Sequence, residues 1–295
     1  MRRRRAMQST LIRLAAAVLM LGLPFGSLAH AQEEHEEAAT PHYPILDLRH
    51  VSWSFKGPFG TFDPQQLQRG FQVYREVCST CHSLGMVAFR TLASEHGPHF
   101  SEEAVRALAA EYTVSDPLDG TERAGRPADV FPEAPPFPGT TPPDLSVIAK
   151  ARAIERGFPT FVFDVFTQYQ ETGPDYIYSL LTGYQEPPEG VEVPEGTYYN
   201  PYFISGPALA MPPPLSDGQV AYAQNQDESS ANDVRETVDQ YSRDVTAFLM
   251  WTAEPHMVER KSLGLTVMIF LIVLAGLVYY TKKKVWATLP HEETA

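Results

Sequence analysis

The chain has 295 residues, 43% of them hydrophobic, and a formal net charge of -13. Between residues 32 and 259 there are 13 basic and 34 acidic side chains, a net of -21, which argues against nucleic acid as a partner. Two cysteines alone, Cys78 and Cys81, give no disulfide framework, because a bridge between them would close a tiny loop and stabilise little of a domain this size.

At the amino end, Arg2 to Arg5 and Arg13 precede an apolar run, Leu14 to Leu23, and a small-residue exit, Ala29-His30-Ala31. This is the pattern of a secretory signal over residues 1–31, too short to span a bilayer, so the mature chain is expected to begin at Gln32. The residues from there to Glu259 suffice for one domain with a real core.

Asp63-Pro64 is an N-cap and first-turn pair and predicts a helix through Leu67, Phe71 and Tyr74. That helix delivers Cys78-Ser79-Thr80-Cys81-His82. Two cysteines three apart with an adjoining histidine can bond both haem vinyl groups and supply an axial iron ligand. A redox dithiol needs no adjoining histidine, and a zinc site of the usual kind needs ligands that no third cysteine provides. Ser101 with Glu102 and Glu103 predicts a second helix through Tyr112.

Six of the twelve residues from Pro132 to Pro143 are proline, so this stretch is neither helix interior nor central strand. Asp144 predicts the cap of a short helix through Arg152. Pro174 opens another through Leu181, stopped by Gly183. Val234, Val238, Tyr241, Val245 and Phe248 recur at steps of four and three and give one apolar helix face, which Pro255 should break. No internal repeat and no strand-rich region is evident. Leu263 to Tyr280 then runs 18 residues without a charge, between Arg260-Lys261 and Lys282-Lys283-Lys284, and reads as a membrane span. A cleaved signal followed by one stop-transfer helix leaves residues 283–295 as a short cytoplasmic tail.

The second iron ligand is approached by elimination. Met1, Met7 and Met20 leave with the signal, Met268 lies in the span, and Met250 and Met257 approach it. Met86 would share the side of His82 if the first helix continued. Met211, followed by three prolines, is left as a thioether that a stiff loop could hold. Filling a core gap is the commoner fate of methionine. His42, His50, His96 and His99 are rival donors expected on the surface.

Several blocks together resemble the cytochrome c1 family, the haem subunits of bacterial cytochrome bc1 complexes. They are Arg69 to His82, Pro142 to Ser146 with Ala151-Arg152, Asp175 to Tyr184, Ala210 to Leu215 and Asp244 to Pro255. The blocks follow the family's order over nearly the whole mature chain. The resemblance implies a mainly α, cytochrome c-like helical haem domain with long Pro-rich loops (32–259) and one C-terminal transmembrane helix (260–282). It implies one haem c bonded to Cys78 and Cys81, with His82 and Met211 as axial ligands and Arg152 and Tyr176 near the propionates. Cytochrome b and a Rieske iron–sulfur protein are the implied partners, in a dimeric complex of the bacterial inner membrane. The haem domain would lie in the periplasm and pass single electrons to a basic, soluble or tethered c-type cytochrome. The segment Glu133 to Thr141 lacks the Asn/Gly-rich character of the family's loop, and no haem contact is carried onto it. The insert Ala153 to Gly173 carries Phe158, Phe161, Phe163, Phe166 and Tyr169 where some members have an extra cysteine pair, so aromatic packing is expected to stabilise it.

A stand-alone membrane-tethered shuttle would share the signal, haem and anchor. A peroxidase would need an open iron position, and a sensor an output domain beyond the short tail. No constellation argues for a nucleophile or an acid–base pair, so the isolated chain is expected not to oxidise quinol.

Overall fold

The computed structural model describes residues 42–116, 119–134, 141–167, 171–223 and 234–287. The signal reading of residues 1–31 and the final tail residues 288–295 lie outside them. The helices are α1 (Pro64–Glu76), α2 (Glu102–Ala110), α3 (Ile148–Ala151), α4 (Thr160–Thr167), α5 (Thr172–Thr182), α6 (Val238–Ala253) and α7 (Met257–Trp286). Short 3-10 turns occupy Cys78–Thr80 and Phe89–Ala93. Two small antiparallel hairpins pair β1 (Thr113–Ser115) with β2 (Glu122–Ala124) and β3 (Tyr198–Tyr199) with β4 (Ala208–Leu209). Mainly α is the correct class.

α1 starts as expected, with the Asp63 carboxylate accepting from the Gln65 amide at 3.0 Å and Pro64 in the first turn. Its buried face, Leu67, Phe71, Val73 and Tyr74, packs on α6 through Tyr241, Val245 and Phe248. The Phe71 and Phe248 rings lie 5.6 Å apart, and Phe89 meets Phe131 at 4.3 Å. Close approach of the two helices depends on Gly70, where an added Cβ would fall 2.1 Å from the Asp244 carbonyl oxygen. Gly70→Ala should therefore lower stability by roughly 1–3 kcal/mol through overpacking, read as a drop in the thermal midpoint.

Several element ends differ from expectation. α2 begins at Glu102 after the Ser101 cap but closes at Ala110, because the chain turns there into β1. Val234 lies before α6, which starts at Val238 with Thr237 as its cap. Asp144 does not cap a helix, since α3 starts four residues later. Gly183 ends α5, but at φ -100° it is not left-handed. Its lack of a side chain instead admits the Tyr202 ring, whose Cδ2 would lie 2.3 Å from an added Cβ.

Pro255 separates α6 from α7 as expected. α7 crosses the boundaries drawn at residues 259 and 282 without a break, and its first residue, Met257, still belongs to the core. From Ser262 to the helix end every residue is exposed, including the uncharged run Leu263 to Tyr280. At about 1.5 Å per residue the 30-residue helix is long enough to cross a bilayer.

Candidate haem site

The haem motif begins just past α1. The Cys81 and His82 amides both donate to the Cys78 carbonyl, at 3.1 and 2.9 Å, and wind the motif into one tight turn. The helix does not continue, so the premise that placed Met86 beside His82 does not hold. Met86 is instead 71% exposed, on a loop whose amide donates to Ser146 Oγ.

His82 is held at both ends. Its backbone carbonyl accepts from the Tyr74 hydroxyl at 3.0 Å, and Nδ1 lies 2.8 Å from the Pro143 carbonyl. A carbonyl only accepts, so Nδ1 carries the proton and Nε2 keeps its lone pair, the tautomer an iron ligand requires. Burial lowers the imidazole below its usual 6.5, against the opposing effects of the Pro143 carbonyl and the Asp144 charge, which keeps it neutral near pH 7.

Pro143 is itself fixed by its neighbour. Asp144 Oδ2 accepts from Ser83 Oγ and the Gly85 amide, both at 2.7 Å, while Oδ1 accepts from the Ser146 amide at 2.8 Å. The Leu145 amide donates to the Ser83 carbonyl at 2.9 Å. Residues 143–146 thus form a strap along the segment after His82, and Asp144 is its clasp. Burial opposes the Asp144 charge, but these hydrogen bonds outweigh it and hold the carboxyl below its usual 3.8. The clasp therefore contributes fully above pH 3.8 and is lost as pH falls through the lower folded value. Asp144→Asn should lower the thermal midpoint at neutral pH, and the gap to the parent should narrow as pH falls below 3.8.

Met211 is half-buried and follows β4 by two residues. The hairpin before it is braced by the Asn200 amide on the Pro207 carbonyl at 2.7 Å and by Asn200 Nδ2 on the Leu180 carbonyl of α5 at 2.8 Å. The Tyr184 hydroxyl donates to the Met211 carbonyl at 3.1 Å. The expected stiffness therefore comes from hydrogen bonds as well as prolines. Tyr176, on α5, is 2% exposed, and its phenol oxygen accepts from the Ile204 amide at 3.4 Å. Burial pushes the phenol above its usual 10, while the Ile204 amide and the nearby Arg152 charge act against that rise. Arg152 follows α3, is half-buried, and has no carboxylate partner among the described residues.

The rival donors divide. His42, His50 and His99 are exposed, whereas His96 is half-buried in the turn before α2, a departure from the expected surface position. His50 Nδ1 lies 2.8 Å from Asp175. Pro143, Tyr74, Asp144 and Tyr184 are site residues that sequence reasoning missed as such. The available signals were the Arg69 to His82 block for Tyr74, Pro142 to Ser146 for Pro143 and Asp144, and Asp175 to Tyr184 for Tyr184.

These residues fit a haem. Both cysteines are unpaired, and burial pushes the Cys78 thiol up to about 12, unlike the acidic thiol of a redox dithiol. Among the described residues no group of three or more His, Cys, Asp or Glu side chains gathers as a metal site. A half-buried arginine without a carboxylate and a buried phenol suit the acidic edge of a porphyrin.

A mainly helical domain with a Cys-x-x-Cys-His turn after its first long helix, and an exposed apolar helix at its end, has the build of a membrane-attached c-type cytochrome. Residues 53–289 match the model of the Cytochrome C1 family, and the chain belongs to that family. It is 57% identical over 250 residues to Cytochrome b/c1 of Bradyrhizobium diazoefficiens, covering 80% of this chain and 35% of that protein. It is 44% identical to cytochrome c1 of Blastochloris viridis, over 91% of this chain and 95% of the relative. Cytochrome c1 of Cereibacter sphaeroides is 43% identical over 80% of this chain and 86% of its own. Membership implies a covalently bound haem c.

Proposed function

We propose that this chain is a membrane-anchored c-type cytochrome that relays single electrons within a quinol-oxidising bc1 complex. It would receive them from a Rieske iron–sulfur protein and pass them to a c-type cytochrome. The observation that carries this reading is His82, whose Nδ1 is tied to Pro143 so that Nε2 is left for iron. Cys78 and Cys81 would bond one haem, which supplies a reversible one-electron couple. His82 and Met211 would hold the haem iron. Arg152 would offset propionate charge, with Tyr176 beside it. The strap and the β3–β4 hairpin would keep His82 and Met211 in place as the charge changes. No bond is made or broken during the transfer.

The acidic domain, net -21 between residues 32 and 259, would attract a basic acceptor. Acceptor reduction should slow several-fold as salt rises from about 0.05 to about 0.3 M, a dependence measured by stopped-flow mixing. A signal over residues 1–31 would place the domain in the periplasm, with residues 260–282 spanning the inner membrane and residues 283–295 in the cytoplasm. The Bradyrhizobium relative, whose name joins cytochromes b and c1, supports cytochrome b as a partner. A dimeric complex follows from the same family reading.

Gentle detergent extraction tests the assembly. Cytochrome b and an iron–sulfur protein should accompany the chain. Recovery of the haem-loaded chain alone, still reducing a soluble cytochrome, would instead make it a stand-alone shuttle.

A further inference from the structure

Of the insert's five aromatics, Phe158, Phe161 and Phe163 do not pack as expected, and the side chains of Phe166 and Tyr169 lie outside those described. Phe158, Phe161 and Phe163 are 83%, 54% and 63% exposed, and Val162 is 38% exposed. The Phe158 and Phe161 rings face each other at 6.2 Å but do not enter the core. Phe59, on the turn between Phe55 and Gly60, is 76% exposed. So much aromatic surface in water is costly, at about 25 cal/mol per Å² of apolar area, unless something covers it.

Its placement identifies the cover. Lys261, two residues before the apolar run, donates through Nζ to the Phe55 carbonyl at 2.7 Å and the Gly60 carbonyl at 3.4 Å. The Phe55–Gly60 turn is thereby held where the spanning helix leaves the domain. Thr167, the last residue of α4, places its carbonyl oxygen 4.0 Å from where a Gly57 Cβ would stand. At about 1.5 Å per residue, Phe161 and Phe163 stand within about 9 Å of Thr167 along α4. Exposed Lys56, on the same turn, adds positive charge, whereas Arg156 is paired with Asp164 at 2.8 Å.

We propose that Phe59 and the segment Phe158 to Phe163, which leads into α4, form an aromatic lobe that dips into the phospholipid interface beside the anchor helix. Aromatic side chains are favoured at that depth, and an amphipathic segment buries its apolar face roughly 5–10 Å into the headgroup boundary. Lys56 would meet lipid phosphate. A second contact of this kind would fix the tilt of the domain on its single helix. The inference rests on Leu263 to Tyr280 spanning the membrane.

The chain's two cysteines are committed to haem in this reading, so one introduced cysteine can carry a nitroxide. Phe59→Cys and Phe161→Cys would be labelled in the intact complex, in nanodiscs containing anionic phospholipid. Leu271→Cys in the span and Glu195→Cys on an exposed loop serve as references. The expected result is a ratio of oxygen to nickel-chelate collisions several-fold above that of Glu195→Cys at both aromatic positions, approaching Leu271→Cys. A ratio equal to that of Glu195→Cys would overturn the inference while leaving the span intact. Shielding from both reagents would overturn it in favour of a protein subunit covering the lobe. A water-like Leu271→Cys label would remove the span and the lobe together.

Discussion

Replacing Met211 by Leu should abolish the Met-to-iron charge-transfer band and lower the midpoint potential on the order of a few tenths of a volt, since a thioether opposite histidine raises it and axial ligands command roughly 0.8 V. The fold should survive. Met211 is half-buried, and an exchange of similar volume costs less than about 1.5 kcal/mol. Met86→Leu is the matched control, because Met86 is 71% exposed and should leave spectrum and potential unchanged. Redox titration of both variants checks the pair. A band lost in Met86→Leu and kept in Met211→Leu would reverse the assignment. The prediction follows from the brace on the Met211 carbonyl by Tyr184 and on the hairpin by Asn200, which gives the thioether a fixed position.

Asp244→Ala should cost about 3–5 kcal/mol of stability, because it strands a nearly buried arginine. Asp244 is fully buried, and Arg69 is 10% exposed. The carboxylate accepts from Arg69 Nε at 2.8 Å, Arg69 Nη2 at 3.3 Å, the Tyr222 hydroxyl at 2.8 Å and Gln240 Nε2 at 2.9 Å. This cluster joins α1 to α6, the pair that frames the haem motif. Removing both charges, as Asp244→Leu with Arg69→Met, should recover much of the loss, since the pair's desolvation offsets most of its attraction. Thermal unfolding of the detergent-solubilised chain measures both effects. Equal losses in the single and double variants would show that the charge left behind is not the cause.

Local signals were legible wherever the cause was local. Asp63-Pro64 predicts α1 because an N-cap carboxylate and a first-turn proline act within three residues, and Pro255 ends α6 for the same kind of reason. The haem motif could be singled out because it holds the chain's two cysteines, and Met211 by eliminating the other methionines. Asp144 shows where this stops. A helix cap and a clasp on a distant loop look alike in sequence, and only the return of residues 143–146 to His82 decides between them. The hairpins were invisible because strands of two or three residues are too short to show alternation. The aromatic insert misled through composition, which gives apolarity without direction. Phe158, Phe161 and Phe163 turn outward while Phe131 and Phe248 turn inward.

The relay itself is tested most directly by adding quinol to the purified complex and following the haem c band in time, with and without the iron–sulfur subunit. The account predicts single-electron reduction of a low-spin haem only when that subunit is present, and re-oxidation by an added basic c-type cytochrome. Quinol reduction of the haem in its absence, or a high-spin resting haem that reacts with peroxide, would contradict it.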